Sequence, residues 1–171
     1  MPFVLEKIVS GGQTGVDRAA LDAALELGLA CGGWCPRGRR AEDGPLADRY
    51  PLAETPSADY AQRTEWNVRD SDGTLILTVG RPDRGTALTL ELAKRMPRPC
   101  HVADPSEMGE LEPAREWIAQ HEIRTLNVAG PRESRAPGIY AAARRFLGAL
   151  LSGCAPARAL GDRAGMSAKE D

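Results

Sequence analysis

The sequence predicts an α/β fold: one domain built on a parallel sheet of about five strands joined by crossover helices. Three observations predict it. Apolar, β-branched runs alternate with segments of helical period along most of the 171 residues. Glycine clusters stand where strands hand over to helices, with three glycines inside residues 11–15 alone. The length suits a single core, and apolar residues at 42% with charged residues at 27% make an ordinary globular composition.

The elements follow in order. Residues 7–10 read as strand one. Helix one runs from Asp17 to Leu27, with an acid in its first turn and Gly28 just past its end. Residues 29–35, "LACGGWC", form a short strand two. The stretch 36–55 has no apolar period and carries four arginines and three prolines, so it reads as a long loop of functional character. Helix two spans Ala58 to Arg69 behind the start signal Pro56-Ser57. "GTLILTV" (73–79) is the clearest buried strand, and after the loop from Gly80 to Arg84 comes helix three, "GTALTLELAKRM". Residues 99–104 are strand four, 112–121 helix four and 125–130 strand five. The last helix covers 137–151, with Pro137 suited to its first turn. The domain is expected to occupy 1–151. The segment 152–171, rich in Gly, Ala, Pro and charge, reads as a poorly ordered tail.

Ligands in open parallel sheets bind outside the carboxyl ends of the strands. Four loops of unusual composition fall there: "GGQTG", the arginine-rich 36–55 loop, "GRPDRGT" and "GPRES". Gly11, Gly12 and Gly15, with Gln13 and Thr14 between them, offer backbone amides to an anion at a helix start. A tight turn without ligand explains the same residues equally well, since neither nucleotide-binding glycine pattern is present. Gly85 and Thr86 repeat the offer at helix three, where Thr86 either caps the helix or donates to a ligand oxygen. Two such starts point to a phosphate-like oxyanion between them.

Helix two carries Tyr60, Arg63, Thr64 and Asn67 on one face by their spacing. These suit a polar ring or sugar, against the plainer reading of a solvated face. Arg37, Arg39 and Arg40 are candidate anion forks, although Glu42, Asp43 and Asp48 could pair them within their own loop. Gly130, Arg132 and Ser134 complete the candidates, with Ser134 alternatively capping the last helix.

The formal net charge of −2 and pI near 5.8 argue against non-specific nucleic-acid binding. No apolar run approaches the roughly 20 residues of a membrane span, and the N-terminus lacks a secretory pattern. A cytoplasmic location is expected. Cys31, Cys35, Cys100 and Cys154 read as small apolar residues rather than disulfides or zinc ligands. His101 and His121 form no metal pattern, so no metal site is expected. The apolar face of "IYAAARRFLGALL" suits a subunit interface, so a homo-oligomer is expected, although the same stripe would serve equally well against the sheet.

The blocks "IVSGGQTGVDRAALDAALELG", "YAQRTEWNVRDSDGTLIL", "RGTALTLELAKR" and "LNVAGPRES" together resemble the family named "putative molybdenum carrier proteins". That family stands in a Rossmann-like superfamily with the lysine decarboxylase-like proteins and the cytokinin-activating phosphoribohydrolases. The resemblance covers about residues 6–150. It implies a Rossmann-like doubly wound sheet in the order 2-1-3-4-5, helices on both faces, and a site for a phosphate-bearing, nucleotide-like ligand. For the carrier family that ligand is molybdenum cofactor. The phosphoribohydrolases carry P-G-G-x-G-T-x-x-E. Aligning Gly85-Thr86 on its G-T places Thr89 where their glutamate stands. Glu91 lies about 200° round the helix from Thr89, a poor substitute. The expectation is therefore a binding or carrier protein. The alternatives are a nucleoside-monophosphate phosphoribohydrolase using Asp83 or Glu65, and a nucleotide-sensing module. No lysine suits pyridoxal phosphate, Lys7 preceding strand one and Lys94 facing away on helix three.

Overall fold

The computed structural model describes residues 4–154, so the expected tail lies largely outside the described residues. Five strands form one parallel sheet: β1 (Lys7–Val9), β2 (Ala30–Gly32), β3 (Gly73–Leu77), β4 (Cys100–Ala103) and β5 (Thr125–Ala129). Five helices connect them: α1 (Val16–Leu27), α2 (Tyr60–Arg69), α3 (Arg84–Arg95), α4 (Leu111–Gln120) and α5 (Ile139–Ser152). The Rossmann-like α/β architecture matches the expectation. α1, α4 and α5 pack into the main core on one face, and α2 and α3 bury Val68, Leu92 and Ala93 on the other.

The strand order does not match. The sheet runs β2-β1-β5-β3-β4, so the last strand is inserted between the first and the third. Val9 pairs with Asn127 on one side of β5, and Thr74 pairs with Asn127 on the other. Burial gives the reason. Leu126 and Val128 are fully buried and suit a central strand, whereas Val102 of β4 stays 44% exposed and suits an edge. Side chains lock the insertion: Asn127 Nδ2 donates to Thr74 Oγ1 at 3.2 Å. Asp72 Oδ2 accepts the amides of Arg124 at 3.1 Å and Thr125 at 2.8 Å. Counted from β5, the order becomes 3-2-1-4-5, the doubly wound order with its chain origin moved by one strand. The winding direction therefore reverses between β5 and β3.

Several boundaries shift. The expected strand 29–35 breaks at Gly33, after which residues 34–35 pair in parallel with 53–54. The loop 36–55 is folded down on its own small core of Cys35, Ala41, Leu46, Tyr50 and Leu52 against Leu21 of α1. Pro137 precedes α5 instead of opening it, because the helix starts after Gly138 in a left-handed conformation. The apolar stripe of α5, including Phe146, Leu147 and Leu150, is spent against α1 and the sheet within the chain. Of the cysteines only Cys35 is fully buried, and all four are free. No helix among the described residues is long and apolar enough to cross a membrane.

Candidate functional site

A cleft of about 480 Å³ opens at the carboxyl edge of β1, β5 and β3, where the winding reverses. α2 forms one wall and the first turn of α3 another. Of the expected residues it brings together Gly11, Gln13, Tyr60, Arg63, Thr64 and Asn67. Gly85, Gly130 and Arg132 join them from the other loops. Gly12, Thr14, Gly15, Thr86, Arg37 and Ser134 are not among the lining residues.

Arg63 is the centre of the site. It is 7% exposed, and its Nη1 lies 3.3 Å from Asp17 Oδ2, both side chains being 9% exposed. Gly11 exists to admit it: a Cβ there would fall 1.9 Å from Arg63 Nη1. Burial pushes the Asp17 carboxyl up to about 6, against the lowering pull of Arg63, the Gln13 amide, Arg18 and Arg132. Tyr60 stands among three guanidinium groups, with Arg40 at 5.2 Å and Arg63 and Arg132 at 5.3 Å from its ring centre. Arg84 and Arg135 add two further cations to the lining.

Gln13 is 5% exposed and oriented by its neighbours. Its Oε1 accepts the amides of Thr14 at 3.0 Å and Glu42 at 2.9 Å, which turns Nε2 the other way. That nitrogen is buried with no partner among the described residues. Buried donors are rarely left so. At α3, Asp83 Oδ1 accepts the Thr86 amide at 2.8 Å and Asp83 O accepts that of Ala87. Asp83, not Thr86, is therefore the cap. The helix's first two amides, of Arg84 and Gly85, remain for a ligand. Thr86 Oγ1 is buried just behind with no partner among the described residues.

The first glycine cluster behaves differently from the expectation. A Cβ on Gly12 would meet Leu46 and Leu52 at 2.7 Å, and one on Gly15 would meet Pro131 O at 2.3 Å. The Val16 amide donates to Pro131 O at 3.2 Å and the Gln13 amide to Asp17 Oδ2 at 3.3 Å. The cradle at α1 is thus filled by the protein itself. A bulky residue at Gly12 would disturb the fold, not merely a ligand.

Other expected ligand contacts are committed elsewhere. Asn67 Oδ1 accepts the Trp34 amide at 2.8 Å and its Nδ2 donates to Trp34 O at 2.9 Å, so its amide works as a clamp between α2 and residue 34. Thr64 Oγ1 donates to Tyr60 O. The Thr14 hydroxyl donates to Glu42 and accepts the Glu133 amide. Ser134 Oγ donates to Glu42 Oε2 at 2.5 Å instead of capping α5. Burial raises the Glu42 carboxyl, but the Ser134 and Thr14 hydrogen bonds and the Arg132 charge more than offset it, leaving it below its ordinary value. Arg39 donates to the carbonyls of Leu46, Ala47, Tyr50 and Leu52 and staples its own loop. Arg37 is exposed outside the cleft.

Sequence reasoning missed Asp17, Arg84, Arg135 and Asn127 as lining residues. Asp17 reads from sequence as an ordinary first-turn acid, and only its position after a glycine turn on the ligand edge signals more. Thr89 does line the cleft, and its hydroxyl donates to Gly85 O at 3.1 Å. Glu91 faces solvent and pairs with Arg95 at 2.6 Å.

Residues 8–151 match the model of the "Circularly permutated YpsA SLOG family". The chain is also similar to a crystal structure described as "Putative molybdenum carrier protein" from Syntrophus aciditrophicus SB. It shares 44% identity with that protein at a TM-score of 0.83, covering 86% of this chain and 95% of that one. No curated protein matches the chain.

Proposed function

This chain belongs to the circularly permutated YpsA SLOG family, and from that premise we propose that it is a binding or carrier protein for a small phosphate-bearing, nucleotide-like ligand. Molybdenum cofactor, a pterin with a terminal phosphate, is the first candidate, in keeping with the name of the Syntrophus relative. The observation that carries the reading is the cleft at the winding reversal, lined by Arg63, Arg84, Arg132 and Arg135 together with Gln13, whose buried Nε2 has no partner among the described residues. Its volume falls within the range of small-molecule sites. Arg63, Arg132, Gln13 and the first amides of α3 fit a terminal phosphate, and the edge of Tyr60 on the α2 wall, its faces taken by guanidinium groups, fits beside a pterin or purine ring. The carrier is a cytoplasmic protein in this reading and acts without nucleic acid or membrane.

Binding is favoured over glycoside hydrolysis by the residue at the family glutamate position. Hydrolysis needs a carboxylate beside the sugar. Thr89 occupies that place with its hydroxyl engaged, Asp83 is committed to capping α3, and Glu65 is exposed on α2 outside the cleft lining, while Asp17, the other carboxylate of the lining, is held by Arg63 at 3.3 Å. Native mass spectrometry of protein purified gently and anaerobically from a molybdate-replete host tests the proposal. A co-purifying molybdopterin mass is expected, with any homo-oligomer read from the same spectrum. An empty cleft that takes up neither molybdopterin nor nucleoside monophosphates would end the carrier reading.

A further inference from the structure

Arg63, the most deeply placed cation of the cleft, already has an anion. Its guanidinium rests over Gly11, and its Nε donates to Tyr60 O at 3.3 Å. Asp17, across the 3.3 Å ion pair, is held just as firmly: Oδ2 also accepts the Gln13 amide, and the Asp17 carbonyl accepts Ser10 Oγ at 2.8 Å. Both side chains line the cleft. An oxyanion that reaches Arg63 therefore enters the neighbourhood of the Asp17 carboxylate, in a place nearly closed to water. Two bare anions so placed repel strongly, whereas one proton shared between them turns repulsion into a short hydrogen bond.

We propose that Asp17 makes the cleft selective for oxyanions that carry or acquire a proton, one proton being shared between its carboxyl and a ligand oxygen. The inference rests on the reading that the cleft takes an oxyanion, and it names the class. Phosphate qualifies because it still carries a proton at neutral pH, and phosphate monoesters because their last proton comes off at about pH 6, close enough for one to be taken back readily. Sulfate and molybdate do not, because they hold no proton there. A phosphate-bearing cofactor would be accepted and free molybdate turned away. Arg63 faces Asp17 from α2, Arg132 from the loop after β5 and Arg18 from α1 itself, while Gln13 supplies the backbone donor. Burial outweighs these cations, so the carboxyl takes up a proton at little cost when a second anion arrives.

Calorimetric titration of the whole protein with inorganic phosphate, sulfate and molybdate tests this. Near pH 8 phosphate is expected to bind at least about tenfold more tightly than either competitor, roughly the weight of one charge-assisted hydrogen bond. Near pH 5.5, with Asp17 largely protonated beforehand, sulfate should gain. In Asp17→Asn, whose amide can still accept from Gln13 and can donate to any oxyanion, the preference should shrink to about threefold or less. The wild type gives a second readout without any variant. Sulfate binding near pH 8, compared in buffers of different ionisation heat, should take up about one proton, and phosphate binding almost none. Equal affinities near pH 8, or sulfate binding without proton uptake, overturns the role of Asp17 and leaves the oxyanion site standing. No binding of any of the three anions at either pH overturns the site and this inference together.

Discussion

The two glycine-bearing turns at the ligand edge resemble each other in sequence and differ in what their missing side chains make room for. In the turn after β1, the space is taken by protein: Arg63 against Gly11, Leu46 and Leu52 against Gly12, Pro131 O against Gly15. In the turn after β3, a Cβ on Gly85 would approach only Asp83 Oδ1, at 3.8 Å. One turn is closed by its own fold and the other opens into the cleft. A glycine reports that something comes close to the backbone. It does not report whether that neighbour is a ligand or the rest of the chain.

The largest effect should come from the closed turn. Gly15→Ala forces a Cβ against Pro131 O and strains a backbone held at φ 79°, which should cost about 3–5 kcal/mol by adding overpacking to left-handed strain. Urea denaturation measures it, and a loss under about 1 kcal/mol would remove the contrast between the turns.

Second in size is the pH response of Asp17, the buried acid that lines the cleft beside the closed turn. Burial pushes its carboxyl up to about 6 in the fold from an ordinary value of 3.8, so the folded state binds more protons than the unfolded one between those values. Stability from this residue is therefore full below about pH 4 and falls as pH rises to about 6, by on the order of 3 kcal/mol. Glu42, Asp43 and Asp70, whose carboxyls are lowered in the fold, act in the opposite sense. The difference between wild type and Asp17→Asn isolates the effect, and parallel stability curves for the two between pH 4 and 6 would contradict it.

A smaller loss, about 2 kcal/mol, is expected for Arg39→Ala, since one guanidinium ties four loop carbonyls over the closed turn. Amide exchange should quicken across residues 36–55 and leave β3 and α3 protected. Uniform quickening would mean that the loop is no separate unit. The smallest change belongs to the open turn. Gly85→Ala should alter stability by less than about 1 kcal/mol, and in the favourable direction, because alanine suits a helix better and meets only Asp83 Oδ1 at an ordinary 3.8 Å. Its methyl would narrow the cleft instead, so weaker phosphate binding at unchanged stability sharpens the comparison.

Much of the architecture was legible because it depends on local chemistry. Alternating apolar runs placed β3 and β5 within two residues of their observed ends, and Gly28 marked the end of α1. The family resemblance reached the Rossmann-like class by separate blocks in the right order. The helix-two stripe was legible too, since spacing alone sets which residues share a face, and Tyr60, Arg63 and Thr64 do meet at the cleft.

What the sequence determined by itself was the set of elements, their type and the edge of the sheet where ligand chemistry gathers. Each of these follows from contacts between residues a few positions apart. Only the tertiary structure decided that β5 lies between β1 and β3, that Gly11 shelters an arginine, and that Asp17 shares a buried pair with Arg63, 46 positions away. Strand order depends on which pairing buries Leu126 and Val128 on one face of β5 and Asn127 on the other, and the carboxyl of Asp17 is raised by the atoms packed around it. Both are properties of neighbours brought in from distant parts of the chain, which local pattern and propensity do not encode.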